Sequence, residues 1–165
     1  MLASYYYEHF DMQIAVARPF NAYGARDIGR GEKSHVIPAI IERLLSPDPT
    51  LVVWGSGTQT RSFIHARDVA AGLALITEKY ACADPVNVGH DHETNMAELA
   101  NLLMDVSDIH KPLYFDTSKP EGCKRKSADM TKFRRVTEGF EPEAALRHGL
   151  AEMVEAHRAV RYPSG

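Results

Sequence analysis

Short apolar runs alternate along this chain with longer segments whose apolar residues recur every three or four positions, and that alternation most narrows the folds open to it. Gln13 to Ala17, Leu51 to Trp54, Pro85 to Val88 and Leu113 to Phe115 read as strands, and Arg61 to His65 reads as extended. Ser34 is placed to cap a helix running to Leu45, with apolar Val36, Ile37, Ile40, Ile41, Leu44 and Leu45. Pro38 is tolerated there because the first backbone donors of a helix have no partner within it. Asp68 opens a second helix with Val69, Leu73, Ile76 and Tyr80 on one side. Asn95 followed by Glu98 is a capping-box pair ahead of Met96, Leu99, Leu103 and Val106. Leu146, Leu150, Met153, Val154 and His157 mark a last amphipathic helix. Ala22 to Lys33 and Lys119 to Lys132 read as loops, the second one basic. Strands separated by helices predict an α/β fold. Ser4 to Phe10 reads as the tail of a helix whose beginning is not in this chain, and the layout shows no independently complete sheet, so truncation is expected.

Composition removes several function classes. With 44% hydrophobic and 25% charged residues in 165, the chain is neither disordered nor collagen-like. Nineteen Lys and Arg against 22 Asp and Glu leave a net charge of −3, so no basic surplus exists to hold a nucleic acid. No apolar run approaches the ~20 residues that span a bilayer, and Met1 to Phe10 lacks a signal-peptide pattern. Cys82 and Cys123 make no disulfide framework and read as reduced thiols, which predicts a cytoplasmic protein.

A few constellations carry chemistry. Gly55-Ser56-Gly57 follows a strand as a dinucleotide fingerprint does, yet it lacks the third glycine and opens no helix, so it reads as a tight turn. Arg61 and Arg125 come from distant segments; as planar forks they are able to clamp a diphosphate, or they are solvated surface charges. His35, at the start of its helix, is either a proton donor and acceptor at a substrate or a helix-surface or core histidine. Trp54 before Gly55 is either a stacking platform or core filler. His90-Asp91-His92-Glu93 has the residue types of a metal site but the tight spacing of an exposed turn, so no metal is expected. Cys123 beside Lys124 and Arg125 is a weak candidate for an activated thiol.

Five segments in order change the weight of these alternatives. Ala17-Arg18-Pro19-Phe20-Asn21-Ala22-Tyr23-Gly24, Ser34-His35-Val36-Ile37-Pro38, Val53-Trp54-Gly55-Ser56-Gly57-Thr58 with Arg61 and Asp68, Val86-Asn87-Val88-Gly89, and Lys119-Pro120-Glu121-Gly122 with Arg125 and Asp129 resemble the extended short-chain dehydrogenase/reductases that act as NAD-dependent nucleotide-sugar epimerases and dehydratases. Within that family the segments are most similar to the GDP-L-fucose synthase branch. The resemblance implies that Pro19 lies near the nicotinamide, that Asn21, Val36, Trp54, Arg61, Lys119, Arg125 and Asp129 bind the nucleotide sugar, and that His35 is the acid/base histidine of epimerisation. Inverting a carbon beside a ketone needs one group to remove a proton and another to return it.

The family's glycine-rich turn and Tyr-x-x-x-Lys pair have no counterpart: His9, Phe10 and Asp11 stand four residues after Tyr5, Tyr6 and Tyr7. The chain therefore resembles the carboxy-terminal, substrate-binding half of such an enzyme with the last strands of its Rossmann-type parallel sheet, the amino-terminal half being missing. It reads as one truncated unit, residues 1–33 and 62–90 being remnants of the nucleotide-binding sheet and 34–61 and 91–165 the substrate-binding region. Helix 34–45 and the loops at 55–65 and 119–129 are expected to converge on one cleft. The expected partner is a nucleoside-diphosphate sugar. NAD or NADP belongs to the intact family, with none expected on this chain alone. The chain is expected to meet either copies of itself or the missing half. The alternative is a self-associating binding module without catalytic activity, since exposed sheet edges favour association.

Overall fold

The structure is a computed structural model that describes residues 2–27 and 34–161. In chain order its elements are α1 (Leu2–Phe10), β1 (Ala17–Pro19), β2 (Ala22–Tyr23), α2 (Val36–Leu44), β3 (Leu51–Trp54), β4 (Thr60–Ser62), β5 (Ile64–His65), α3 (Ala66–Lys79), β6 (Val86–Val88), β7 (Glu93–Asn95), α4 (Met96–Ser107), β8 (Leu113–Asp116), β9 (Arg125–Lys126), α5 (Thr131–Val136) and α6 (Leu146–Arg161). The fold is α/β, and the strand pairs β1–β6, β3–β8 and β4–β9 are all parallel. No helix among the described residues is long and apolar enough to cross a membrane.

The chain divides into two compact units. The first holds residues 1–22, 62–92 and 127–144; the second holds 23–61, 93–126 and 145–165. The sequence reading put 91–165 in one region, whereas 127–144 packs with the first unit. The reason is Phe133, which is fully buried with Ile64, Ile76, Val86 and Val88 in that unit's core. It lies on α5, a six-residue helix whose first two residues are the last two of the stretch Lys119 to Lys132 that reads from sequence as a loop.

In the first unit β1 starts four residues later than the apolar run predicts, with an isolated bridge from Ile14 to Cys82 before it. Arg18 and Pro19 continue the ladder, in register with Asn87 and Val88. The next hydrogen bond toward β6 comes from the Phe20 N–H to the Val88 carbonyl (2.9 Å), so the donor that Pro19 lacks is not needed on that side. α3 starts at Ala66, two residues before the expected cap. His65 is its N-cap and accepts from the Arg67 N–H, while the Asp68 carboxylate accepts the backbone N–H of Glu143 and Ala144 (3.3 and 3.0 Å). That carboxylate is buried, and it stitches the start of α3 to the segment ahead of α6.

In the second unit α2, α4 and α6 enclose a core of Ile37, Ile41, Leu44, Leu99, Leu103 and Leu150. β3 pairs with β8, and both Leu51 and Val53 are buried. α2 starts at Val36 with His35 as N-cap; the Ser34 hydroxyl is turned to the His35 carbonyl (3.3 Å) and caps nothing. The predicted Asn95–Glu98 capping box is formed: the Asn95 side chain accepts from the Glu98 N–H (2.8 Å) and the Glu98 carboxylate from the Asn95 N–H (3.0 Å).

Candidate functional site

The second unit contains a cavity of about 470 Å³, a size that suits a small-molecule ligand. α2 supplies one wall through Val36, Ala39, Ile40 and Arg43, spaced three, four and seven residues apart and so on one face. The end of β3 supplies Val53 and Trp54, and β4 supplies Arg61. Pro120 and Glu121 close the far side. Helix 34–45 and the loops at 55–65 and 119–129 thus each send residues to this one cavity.

The turn after β3 aims these groups. Gly57 has φ +78°, and a Cβ there would lie 2.2 Å from the Phe115 ring, so the chain can pass only without a side chain. At Gly55 a Cβ would meet Glu121 Cγ at 2.8 Å and Gln59 Nε2 at 2.9 Å. Gln59, only 6% exposed, donates to the Trp54 carbonyl (3.1 Å), and the Ser56 hydroxyl donates to the Glu121 carboxylate (2.6 Å). These contacts hold β3, the turn and the 119–122 loop as one assembly.

Trp54 is 36% exposed at the mouth. The Arg43 guanidinium lies 5.0 Å from its ring centroid and the Lys119 ammonium 5.9 Å, both within cation–π range. Arg43 also donates to the Val52 carbonyl (3.1 Å), and burial pushes its pKa below the usual arginine value. Arg61 donates to the carbonyl of Thr60 (2.7 Å), and its terminal nitrogen lies 3.6 Å from where a Gly122 Cβ would sit, which places the 119–122 loop directly over it.

Arg125 stands elsewhere. In the parallel pairing of β4 with β9, Arg125 is in register with Thr60, and Lys126 with Arg61. Side chains alternate across a strand, so Arg125 shares the face of Thr60 and not that of Arg61. There it grips Glu93 through both nitrogens (2.9 Å from Nε and 2.5 Å from Nη2 to Oε1), while the other Glu93 oxygen accepts from the Thr60 hydroxyl (2.8 Å). That carboxylate raises the Arg125 pKa above its ordinary value. The cavity wall includes Arg61 and not Arg125, and the two forks do not face each other across it.

His35 is not in the cavity wall, although its neighbours Ser34 and Val36 are. Its imidazole is largely exposed (77%) and its Nδ1 lies 3.0 Å from the Asp27 carboxylate. In the first unit, Pro19 ends β1 in register with Val88. Asn21 takes a left-handed φ of +45° and donates to the Ser62 carbonyl (2.8 Å). The Asp129 carboxylate accepts the Thr131 N–H (2.9 Å), which holds its pKa below the usual carboxylate range. Asp129's own carbonyl accepts from Asn87 on β6 (3.4 Å).

Four charged or amide side chains of the wall, Glu42, Arg43, Gln59 and Glu121, are not among the candidate site residues read from sequence. The seven-residue step from Val36 to Arg43 was the available signal for one of them. The others are placed by packing between segments far apart in sequence. Among the described residues no group of three His, Cys, Asp or Glu could hold a metal ion, and Arg134 instead ties Asp91 to Glu141.

A sequence model of the NAD dependent epimerase/dehydratase family matches residues 1–89. A probable GDP-L-fucose synthase 1 of Oryza sativa subsp. japonica is 37% identical over 140 residues, covering 82% of this chain and 42% of the relative. A GDP-L-fucose synthase of Sinorhizobium fredii is 33% identical over 159 residues, covering 94% of this chain and 50% of that protein. The chain spans about half the length of the curated relatives it matches. Among solved structures, a UDP-glucose 4-epimerase of Thermotoga maritima with UDP-glucose superposes with a TM-score of 0.86 at 24% identity, over 98% of this chain and 51% of that one.

Proposed function

The chain belongs to the NAD-dependent epimerase/dehydratase family, and from that premise we propose that it is the nucleotide-sugar-binding part of an NAD(P)-dependent epimerase/dehydratase or epimerase-reductase acting on a GDP-sugar, without hydride transfer of its own. The observation that carries this reading is the cavity that joins an aromatic platform, Trp54, to a guanidinium, Arg61, under the 119–122 loop. A flat base and a charged diphosphate need those two chemistries side by side. Val36 and Ala39 supply the apolar wall for the base, and Lys119 adds a cation at the mouth. Asn21 and Asp129 are assigned to the same substrate by their resemblance to the family's segments.

The residues present do not suit a dinucleotide. The one turn that begins like a phosphate cradle is filled, Gly57 by the Phe115 ring and Gly55 by Gln59 and Glu121, so no backbone pocket is open there for a pyrophosphate. The sequence holds no Tyr-x-x-x-Lys pair to move a hydride partner's proton. Pro19 is kept as the residue beside the nicotinamide in an assembled enzyme. His35, exposed and backed by Asp27, is the proposed acid/base group for proton transfer at the carbon next to the substrate ketone.

The test is titration of a GDP-sugar into the chain by calorimetry and by the fluorescence of its one tryptophan, Trp54. Micromolar-range binding with a change in emission is expected. Arg61→Ala should weaken binding by roughly 1.5–3 kcal/mol, the scale of a charge-assisted hydrogen bond. Absence of binding, or oxidation of NAD(P)H by the chain alone, contradicts the reading. One observation favours the self-associating module: α1 exposes Leu2, Tyr5 and Phe10 by 73%, 50% and 62%. A stable oligomer in light scattering with no nucleotide affinity would establish that second reading in its place.

A further inference from the structure

Asp27 and His35 are each fixed by their own backbone before their side chains meet. His35 is the N-cap of α2, and its carbonyl accepts the Ala39 N–H (3.0 Å). Asp27 closes a turn that leaves β2, its N–H donating to the Gly24 carbonyl (2.9 Å). Both residues belong to the second unit. The His35 Nδ1 stands 3.0 Å from the Asp27 carboxylate oxygen Oδ2. The Asp27 side chain is 25% exposed and the imidazole 77%, so the carboxylate is the sheltered member and the ring the one presented. The residues on either side of His35, Ser34 and Val36, line the cavity.

A neutral imidazole carries one proton on its two nitrogens, and the hydrogen bond made by one nitrogen decides what the other can do. An ionised carboxylate only accepts, so the contact with Asp27 requires the proton to sit on Nδ1. The ring's lone pair then belongs to Nε2. Resting on the acid/base reading of His35 above, we infer that Asp27 is a positioning residue: it holds His35 in the Nδ1–H form and so makes Nε2 the nitrogen that takes the substrate proton. In that step the C–H bond beside the ketone breaks and an N–H bond forms at Nε2. The electron pair of the broken bond becomes the enolate, its charge on the former ketone oxygen. The ring becomes an imidazolium, and its contact with Asp27 becomes a charge-assisted hydrogen bond. Without Asp27 an exposed ring turns freely and exchanges tautomers, so only a fraction of the molecules holds a bare nitrogen in the right place.

The experiment reads the tautomer directly. Long-range proton–nitrogen correlation spectra of the nitrogen-labelled full chain, recorded above neutral pH, tell a protonated ring nitrogen from a bare one. Among the signals of the eight histidines, those missing from His35→Gln belong to His35. The unaltered chain should show His35 mainly as Nδ1–H, and Asp27→Ala and Asp27→Asn should move it mainly to Nε2–H. The turn's own bond is made by the backbone, so neither variant removes it, and circular dichroism shows that each is folded. In deuterium oxide, with a GDP-sugar that carries a ketone, the chain should exchange the hydrogen on the neighbouring carbon. Asp27→Ala should slow that exchange by about tenfold, the scale of a charge-assisted hydrogen bond, while affinity for the sugar nucleotide stays within about twofold. His35 found mainly as Nε2–H in the unaltered chain, or a tautomer or exchange rate unmoved by Asp27→Ala, overturns the positioning role and leaves the acid/base reading standing. Nδ1–H in the unaltered chain with no exchange of the sugar's hydrogen removes the acid/base reading, and the positioning role with it.

Discussion

Gly57→Ala perturbs the turn that aims Trp54, Gln59 and Arg61. Its cost can be assembled from two parts. With φ at +78° an alanine is strained by about 1–2 kcal/mol in the left-handed region. Its Cβ would also lie 2.2, 2.7 and 2.8 Å from three atoms of the Phe115 ring. These are atoms of one rigid ring on β8, whose backbone is paired to β3 at Val53, so the ring must swing out as a body. Such displacement costs about 1–3 kcal/mol. Alanine restricts the unfolded chain and returns about 0.4–1 kcal/mol. The net loss is therefore about 2–4 kcal/mol. Gly139→Ala is the control: its φ of +85° carries the same strain, but nothing lies within 4 Å of the added methyl. It should cost about 1 kcal/mol or less once the same unfolded-state gain is subtracted. Urea unfolding followed by circular dichroism measures both. If Gly57→Ala is no worse than Gly139→Ala, the Phe115 ring yields freely and the turn is not held by packing.

Three further outcomes are expected. Asn95→Ala removes the side-chain half of the α4 capping box and should lower stability by about 1 kcal/mol in urea, with Glu98→Ala costing less; equal stability of Asn95→Ala and the parent would refute the cap's role. Acid should destabilise the chain: Asp84, beside Lys132, and Glu141, beside Arg134, are held below the usual carboxylate range, so their stabilisation is complete above about pH 5 and is lost as pH falls through the lower folded values. The urea midpoint should drop between pH 6 and pH 3, and Glu141→Gln should flatten that slope; a midpoint independent of pH argues against both pairs. Arg125→Ala should weaken binding of a GDP-sugar less than Arg61→Ala does, because Arg125 must exchange the Glu93 carboxylate for a phosphate whereas Arg61 already lines the cavity; calorimetry showing equal losses would contradict this ranking.

Much of the fold was legible because its signals are local. The Asn95–Glu98 box, the tolerance of Pro38 in the first turn of α2, and the strands at Leu51 and Leu113 each depend on residues a few positions apart. What was not legible depends on distant partners. Asp68 looked like an N-cap, but its carboxylate is claimed by backbone donors 75 and 76 residues away, and His65 takes the cap. α5 shows no period in the sequence because a helix of six residues has too few turns; its one strong determinant, Phe133, is recognisable only from the core it enters. The expected strand at Arg61 to His65 is two strands broken at Phe63. In the site, Trp54 and Arg61 could be read from sequence as candidates, yet Glu42 and Glu121 had nothing to distinguish them from other surface carboxylates until the cavity was formed around them.

The difference between Arg61 and Arg125 comes from a single position of register. Both are arginines on neighbouring parallel strands, and in sequence they carry equal claims to an anion. Pairing Thr60 with Arg125 puts Thr60, Glu93 and Arg125 on one face, where a hydroxyl, a carboxylate and a guanidinium satisfy one another. It leaves Arg61 on the other face, in the cavity wall, with its terminal nitrogen 3.6 Å from where a Gly122 Cβ would sit. A slip of one residue would exchange the two roles, because strand side chains alternate with a period of two. Composition could not have shown this, since a net charge of −3 describes the whole chain while Arg43, Arg61 and Lys119 gather around one tryptophan and one cavity. Anion recognition here is a property of register and local geometry, and the arginine that register turns toward the cavity is the one whose loss should be felt in binding.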